Sequence, residues 1–164
     1  GPGENLNFLK KGIASIYASY FWKKQPIIVK GSLERIRNFL YVDDVVQILI
    51  KSIKNKKLKK NEMINVTSGK KVKVKKLIEL ILSVNKTNIK NYKVKEIKGT
   101  PGDSFAFDAS NKYLSDKFNN YKFINIENGL KKYFKWINKI PITNNLKKWH
   151  PLMKYFIQHN ITKK

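Results

Sequence analysis

Residues 26–54 constrain the fold of this chain most. Pro26-Ile27-Ile28-Val29-Lys30-Gly31 is a β-branched run closed by glycine, the pattern of a strand. A basic loop with Arg35 and Arg37 follows, then the apolar run Phe39-Leu40-Tyr41-Val42, which predicts a second strand. Asp43 and Asp44 open a helix at about 44–54, one of them as its cap, with Val45, Val46, Leu49, Ile50 and Ile53 as its buried face. Two strands and a helix in so short a stretch predict an α/β layer. The chain has 35 Lys and Arg, and its only two arginines lie in that loop. Arginine offers a planar fork that grips phosphate oxygens bidentately, which lysine cannot do. The loop therefore reads as a rigid phosphate holder at the mouth of the layer.

The rest of the chain continues the alternation. Leu6, Leu9, Ile13, Ile16, Tyr17 and Tyr20 share a face, predicting a helix from about 6 to 23 capped by Asn5. Residues 55–61 read as a solvated loop, 63–66 as a short strand closed by Thr67-Ser68-Gly69, and 73–84 as a helix. Residues 92–97 predict a strand and Gly99-Thr100-Pro101-Gly102-Asp103 a tight turn. Asp108 or Ser110 should cap a short helix to about Phe118, and Asn125 a longer one with Leu130, Tyr133, Phe134 and Ile137 inside. The expected division is one unit over 1–137 and a lysine-rich extension over 138–164 containing a helix near 151–159.

Composition excludes several classes. Apolar residues make up 41% of 164, enough for a real core and too many for a disordered polyelectrolyte. No apolar run is long enough for a membrane span, and the first residues lack a signal-peptide pattern, so a cytoplasmic protein is expected. With no cysteine and two histidines, thiolate and zinc sites are not expected. The net charge of +24 invites a nucleic-acid reading. The lysines are spread along the chain, however, and Lys, Asn and Ile together fill 71 positions, as AT-rich coding would produce. No nucleic-acid partner is expected.

Local motifs fail singly. Ser68-Gly69-Lys70-Lys71 lacks the first glycine and the hydroxyl residue of a phosphate loop. Gly1-Pro2-Gly3 follows no strand, so it is no dinucleotide fingerprint. His150 and His159 read as packing or surface residues, and so do Trp149, Tyr155 and Phe156.

Taken in order, the segments carry a resemblance. Arg37-Asn38-Phe39-Leu40-Tyr41-Val42-Asp43-Asp44 resembles the Arg-Asp-(aromatic)-(Ile/Leu)-(His/Tyr)-Val-x-Asp segment of extended short-chain dehydrogenases/reductases, the NAD(P)-dependent nucleotide-sugar epimerases and dehydratases. Gly1-Pro2-Gly3 with Asn5-Leu6 resembles their Tyr-Gly-Pro-Gly turn and the Asn-Leu after it. Ile64 to Gly69 resembles Ile-Asn-(Val/Leu)-Gly-x-Gly. Pro101-Gly102-Asp103 and Phe107 to Lys112 resemble Arg-Pro-Gly-Asp and Ala-Asp-x-Ser-Lys, and Asn125 to Leu130 the late Leu-Glu-Glu-Gly-Leu helix. The resemblance covers residues 1 to about 137.

It implies the last strands and helices of a Rossmann-type parallel sheet with the small α/β substrate-binding lobe, and a role in surface-polysaccharide biosynthesis. It also implies substrate-binding roles. Arg37 would clamp the nucleotide-sugar diphosphate, helped by Asn5 and the backbone at Leu6. Ile28 and Lys30 would offer backbone contacts to the base, and Asp103 would hold a ribose hydroxyl. Arg35 has no counterpart and reads as a solvated rim residue. Thr100 stands where the family often has a second arginine, a loss that Lys98 would offset, and Asn38 replaces the usual Asp. The family's glycine-rich NAD(P) unit and its Tyr-x-x-x-Lys pair lie before the Tyr-Gly-Pro-Gly turn. The expectation is therefore a substrate half, inactive alone, whose N-terminal half is supplied by the same or another chain. Tyr20 and Lys24 match the catalytic spacing by chance. A non-catalytic nucleotide-sugar-binding module and a basic nucleic-acid-binding protein are the alternatives.

Overall fold

The computed structural model describes residues 1–9, 11–106 and 108–141. The predicted helix near 151–159 lies outside them. Among the described residues nine regular elements follow one another: α1 (Ile13–Trp22), β1 (Ile27–Lys30), β2 (Ile36–Asn38), α2 (Val42–Ile53), β3 (Lys71–Lys73), α3 (Val74–Val84), β4 (Val94–Ile97), α4 (Lys112–Lys117) and α5 (Ile126–Ile137). A 3₁₀ turn at Ile89–Asn91 leads into β4.

The architecture is α/β, as expected. β1 and β4 pair in parallel with Ile27 opposite Val94 and Lys30 opposite Ile97. Both faces of such a pair need covering, and α1, α3 and α5 supply the cover. Tyr17, Trp22, Leu77, Ile81, Leu130 and Phe134 meet there with Ile27 and Val29 of β1. The apolar positions foreseen for α3 (Val74, Leu77, Ile78, Ile81 and Leu82) are all buried. The Asn125 side chain caps α5 by accepting from the Asn128 N–H at 2.8 Å.

Several expectations are corrected. α1 begins at Ile13 behind an extended Gly12, so Asn5 caps no helix. Its side chain instead accepts from the Asn7 N–H at 3.0 Å, while Leu6 and Leu9 sit in the preceding turn. The second strand is the arginine segment itself, residues 36–38, and not 39–42. A strand is decided by its partner, and β3 supplies an antiparallel one with Arg37 opposite Val72. Residues 63–66 alternate in exposure like a strand but join no ladder.

Two further corrections concern α2. Tyr41 occupies its cap position, and neither Asp43 nor Asp44 caps it. Asp44 is 1% exposed and accepts from the Tyr121 hydroxyl at 2.9 Å and the Ile124 N–H at 3.0 Å. It therefore ties α2 to the segment that leads into α5. Ile48 is the buried apolar residue of α2, against Leu114 and Phe118. Val46, Leu49, Ile50 and Ile53 face outward, Ile53 at 83% exposure. No helix among the described residues is long and apolar enough to cross a membrane.

Candidate anion-binding site

The site is built where the C-terminal ends of β1 and β4 meet β2. The Gly31 N–H donates to the Ile97 carbonyl at 2.9 Å, extending the parallel pair by one residue. Gly31 has φ +82 and Gly99 packs against its backbone, so the chain turns sharply at both strand ends. From there residues 99–106 run beside the arginine strand. The Phe105 carbonyl accepts from the Ile36 N–H at 2.9 Å and from Arg37 Nη1 at 3.2 Å. β2 is fixed from the other side as well, because the Arg35 carbonyl accepts from the Val74 N–H at 2.9 Å.

Asp103 is the hinge of the arrangement. Its Oδ1 accepts from Arg37 Nη2 at 2.5 Å, and its Oδ2 accepts from Arg35 Nη1. Arg37 also donates to the Ile36 carbonyl at 2.7 Å and the Ser104 carbonyl at 2.7 Å. Both terminal nitrogens of Arg37 are thus engaged with residues 36 and 103–105. A ligand anion reaching Arg37 has to exchange with Asp103 or these carbonyls.

Asp103 separates two clefts. One, about 790 Å³, is lined by Arg37, Asn38, Asn65, Thr67, Ser104, Asp108 and Ser110 among others. The other, about 290 Å³, is lined by Tyr17, Tyr20, Ile28, Lys30, Arg35 and Thr100 with apolar residues of α1. Burial pushes the Tyr17 phenol up, against the opposing pull of the Arg35 guanidinium. Both amide atoms of Asn38 are buried and find no hydrogen-bond partner among the described residues.

The residues singled out in the sequence therefore fall into three places. Ile28, Lys30 and Asp103 share the tyrosine-lined cleft, and Arg37 and Asp103 share the larger one. Asn5 and Leu6 lie in the N-terminal turn, line neither cleft, and Leu6 is 0% exposed. Lys98 is exposed beyond β4 and lines neither. Arg35 is the residue sequence reasoning missed. It is 6% exposed and not a solvated rim residue. Its place depends on Gly31 and Asp103, and the second is 68 residues away. Tyr20 lines the small cleft, whereas Lys24 lines a depression with Phe21, Trp22 and Tyr92, so the two form no catalytic pair.

Among the described residues no strand runs into a glycine-rich loop and helix that would cradle a dinucleotide, and no group of three or more acidic or histidine residues is placed to hold a metal. What the site can do is bind: it offers a hydroxyl- and amide-rich cleft, an aromatic cleft, and two guanidinium groups between them.

This fold, with its site at the C-terminal ends of parallel strands, defines an α/β protein of the Rossmann type. The comparisons make the class specific. Residues 1–67 match the model of the NAD dependent epimerase/dehydratase family. GDP-6-deoxy-D-talose 4-dehydrogenase of Aggregatibacter actinomycetemcomitans is 32% identical over 85 residues, which are 52% of this chain and 27% of that protein. dTDP-4-dehydro-6-deoxyglucose reductase of Escherichia coli is 31% identical over 81 residues, 49% of this chain and 25% of that protein. UDP-N-acetylglucosamine 4-epimerase from Methanobrevibacter ruminantium M1, solved with UDP-N-acetylmuramic acid, superposes with a TM-score of 0.74 at 26% identity. The match covers 85% of this chain and 44% of that one. The fold is also that of UDP-glucose 4-epimerase from Thermotoga maritima, at a TM-score of 0.75, 20% identity, and 85% and 43% coverage. Residues 1–67 are thus similar in sequence to that family, and most of the chain shares the fold of sugar-nucleotide epimerases. It spans about a quarter of the length of these curated relatives and under half of the solved ones.

Proposed function

We propose that residues 1–137 are the nucleotide-sugar-binding portion of an NAD-dependent sugar-nucleotide epimerase or dehydratase of surface-polysaccharide biosynthesis, acting in the cytoplasm. The observation that carries this reading is the Arg37–Asp103–Arg35 cluster between two clefts, in a chain with a net charge of +24. Two guanidinium groups share one carboxylate, so the site keeps an unbalanced positive charge that a diphosphate would neutralise. On this reading the diphosphate exchanges with Asp103 at Arg37. The freed carboxylate takes a ribose hydroxyl, and Ile28 and Lys30 meet the base. Asn5 and the Leu6 backbone contribute only if the N-terminal turn moves towards the cleft.

Relatives that act on GDP- and dTDP-sugars and a neighbour that binds a UDP-sugar support the substrate class and leave the base open. Hydride chemistry and NAD(P) belong, on this reading, to the N-terminal half that completes the family fold, and residues 1–137 alone are inactive. The test is calorimetric titration of the intact protein with UDP-, dTDP- and GDP-sugars. One of them should bind, and Arg37→Gln should weaken it at least about tenfold. Equal affinity in the folded variant would remove Arg37 from the site.

A further inference from the structure

Arg35 has no counterpart in the family pattern, and the proposed function counts its charge without giving it a contact to the ligand, yet its surroundings are built around it. Its guanidinium lies flat on Gly31, where an added Cβ would stand 3.2 Å from Cζ and Nε. Gly31 has φ +82, so its glycine both permits the turn and leaves room for the guanidinium. Nε donates to the Ser32 carbonyl at 3.1 Å, and Nη1 donates to Asp103. Nη2 donates to no described residue in good hydrogen-bond geometry, the Tyr17 phenol lies close enough to feel the guanidinium, and the side chain lines the cleft of Tyr17, Tyr20, Lys30 and Thr100.

A cation held 6% exposed is costly unless its charge is matched. Here the match is half a carboxylate, because Asp103 divides itself between Arg35 and Arg37. Lys30 adds a further positive charge to the same cleft. Asp103 lines both clefts, so a ligand lying across it meets Arg37 on one side and Arg35 on the other.

We propose that Arg35 is a ligand-binding residue. It contacts the diphosphate from the tyrosine-lined cleft through Nη2, and through Nη1 once Asp103 is displaced, so that two arginines straddle the anion. This rests on the proposed function only in taking the ligand to be a diphosphate. Pyrophosphate isolates that chemistry from the unknown base.

The experiment is titration of the intact protein with inorganic pyrophosphate and with UDP, by calorimetry at two salt concentrations. Wild type is compared with Arg35→Gln, Arg35→Lys, Arg37→Gln and the exposed-lysine control Lys95→Gln. Arg35→Gln is expected to weaken pyrophosphate at least about tenfold, and Arg35→Lys to recover only part of that loss, because the charge returns without the fork. Lys95→Gln should change it less than about twofold. Far-ultraviolet circular dichroism shows which variants are folded, and Arg35→Lys serves if Arg35→Gln is not. If folded Arg35 variants bind as wild type while Arg37→Gln is weak, the Arg35 assignment is overturned and the proposed function stands. If neither arginine matters, or if wild type binds neither probe, both readings are overturned. A loss matched by Lys95→Gln would mean general charge attraction and would also overturn the assignment.

Discussion

Replacing Asp44 by alanine tests whether this carboxylate is a latch or a helix cap. It accepts two hydrogen bonds, from the Tyr121 hydroxyl at 2.9 Å and the Ile124 N–H at 3.0 Å, and is 1% exposed. A hydrogen bond to a charged group contributes about 1.5–3 kcal/mol, and a buried donor left without a partner costs about as much. Tyr121 is only half-buried and can turn its hydroxyl to water, so its bond belongs at the low end. Relief from burying a charge offsets part of the loss. Asp44→Ala should therefore cost about 3 kcal/mol, a large fraction of the roughly 5–15 kcal/mol of a domain, and lower the thermal midpoint by roughly 6–12 °C. Tyr121→Phe should cost about 1 kcal/mol. Asp43→Ala should stay within about 0.5 kcal/mol, because Asp43 is exposed and meets only Lys132 at 3.4 Å. Urea unfolding of the intact protein and its variants measures all three. A helix cap would be worth about 1 kcal/mol. Equal losses near that value for Asp43 and Asp44, or an Asp44→Ala midpoint unchanged within error, would refute the latch.

Two further outcomes follow from α2 and α5. Ile53→Lys should cost the intact protein less than about 0.5 kcal/mol, since Ile53 is 83% exposed. It should also lower binding of a hydrophobic dye, because it interrupts the apolar stripe of Val46, Leu49 and Ile50; unchanged dye binding would mean that the stripe is already covered. Asn125→Ala should cost about 1 kcal/mol by removing the 2.8 Å bond to the Asn128 N–H, and Asn125→Ser should recover most of it in the same unfolding assay.

The elements that could be read from the sequence are those whose apolar residues are buried by near neighbours. α3 and α5 carry one-sided faces, and the core sits where those faces point. α1 starts later than the periodicity predicts because Leu6 and Leu9 keep helical spacing in the irregular segment ahead of Gly12. β2 lies ahead of the apolar run that predicts it because its partner, Lys71-Val72-Lys73, has a single apolar residue and no strand signal of its own. α2 shows the limit of periodicity. Its apolar stripe predicts a buried face, yet Val46, Leu49, Ile50 and Ile53 are exposed, because periodicity does not say whether the covering surface lies within these residues. The site divides in the same way. Arg37 was singled out by residue type and motif order, while the burial of Arg35 follows from a long-range meeting of Gly31 and Asp103 that no local pattern encodes.

The pairing of β2 with β3 makes the direction of Arg37 a matter of parity. Side chains on a strand alternate between faces, so Arg37 reaches the ligand clefts only while it stands opposite Val72. β3 leads without a break into α3, whose first N–H is bonded to the Arg35 carbonyl. Adding or deleting one residue between Arg35, whose carbonyl holds β2 to the first N–H of α3, and Arg37 would therefore leave the helix and the core where they are. It would turn the fork of Arg37 to the opposite side of the sheet, whereas a change of two residues would bring it back.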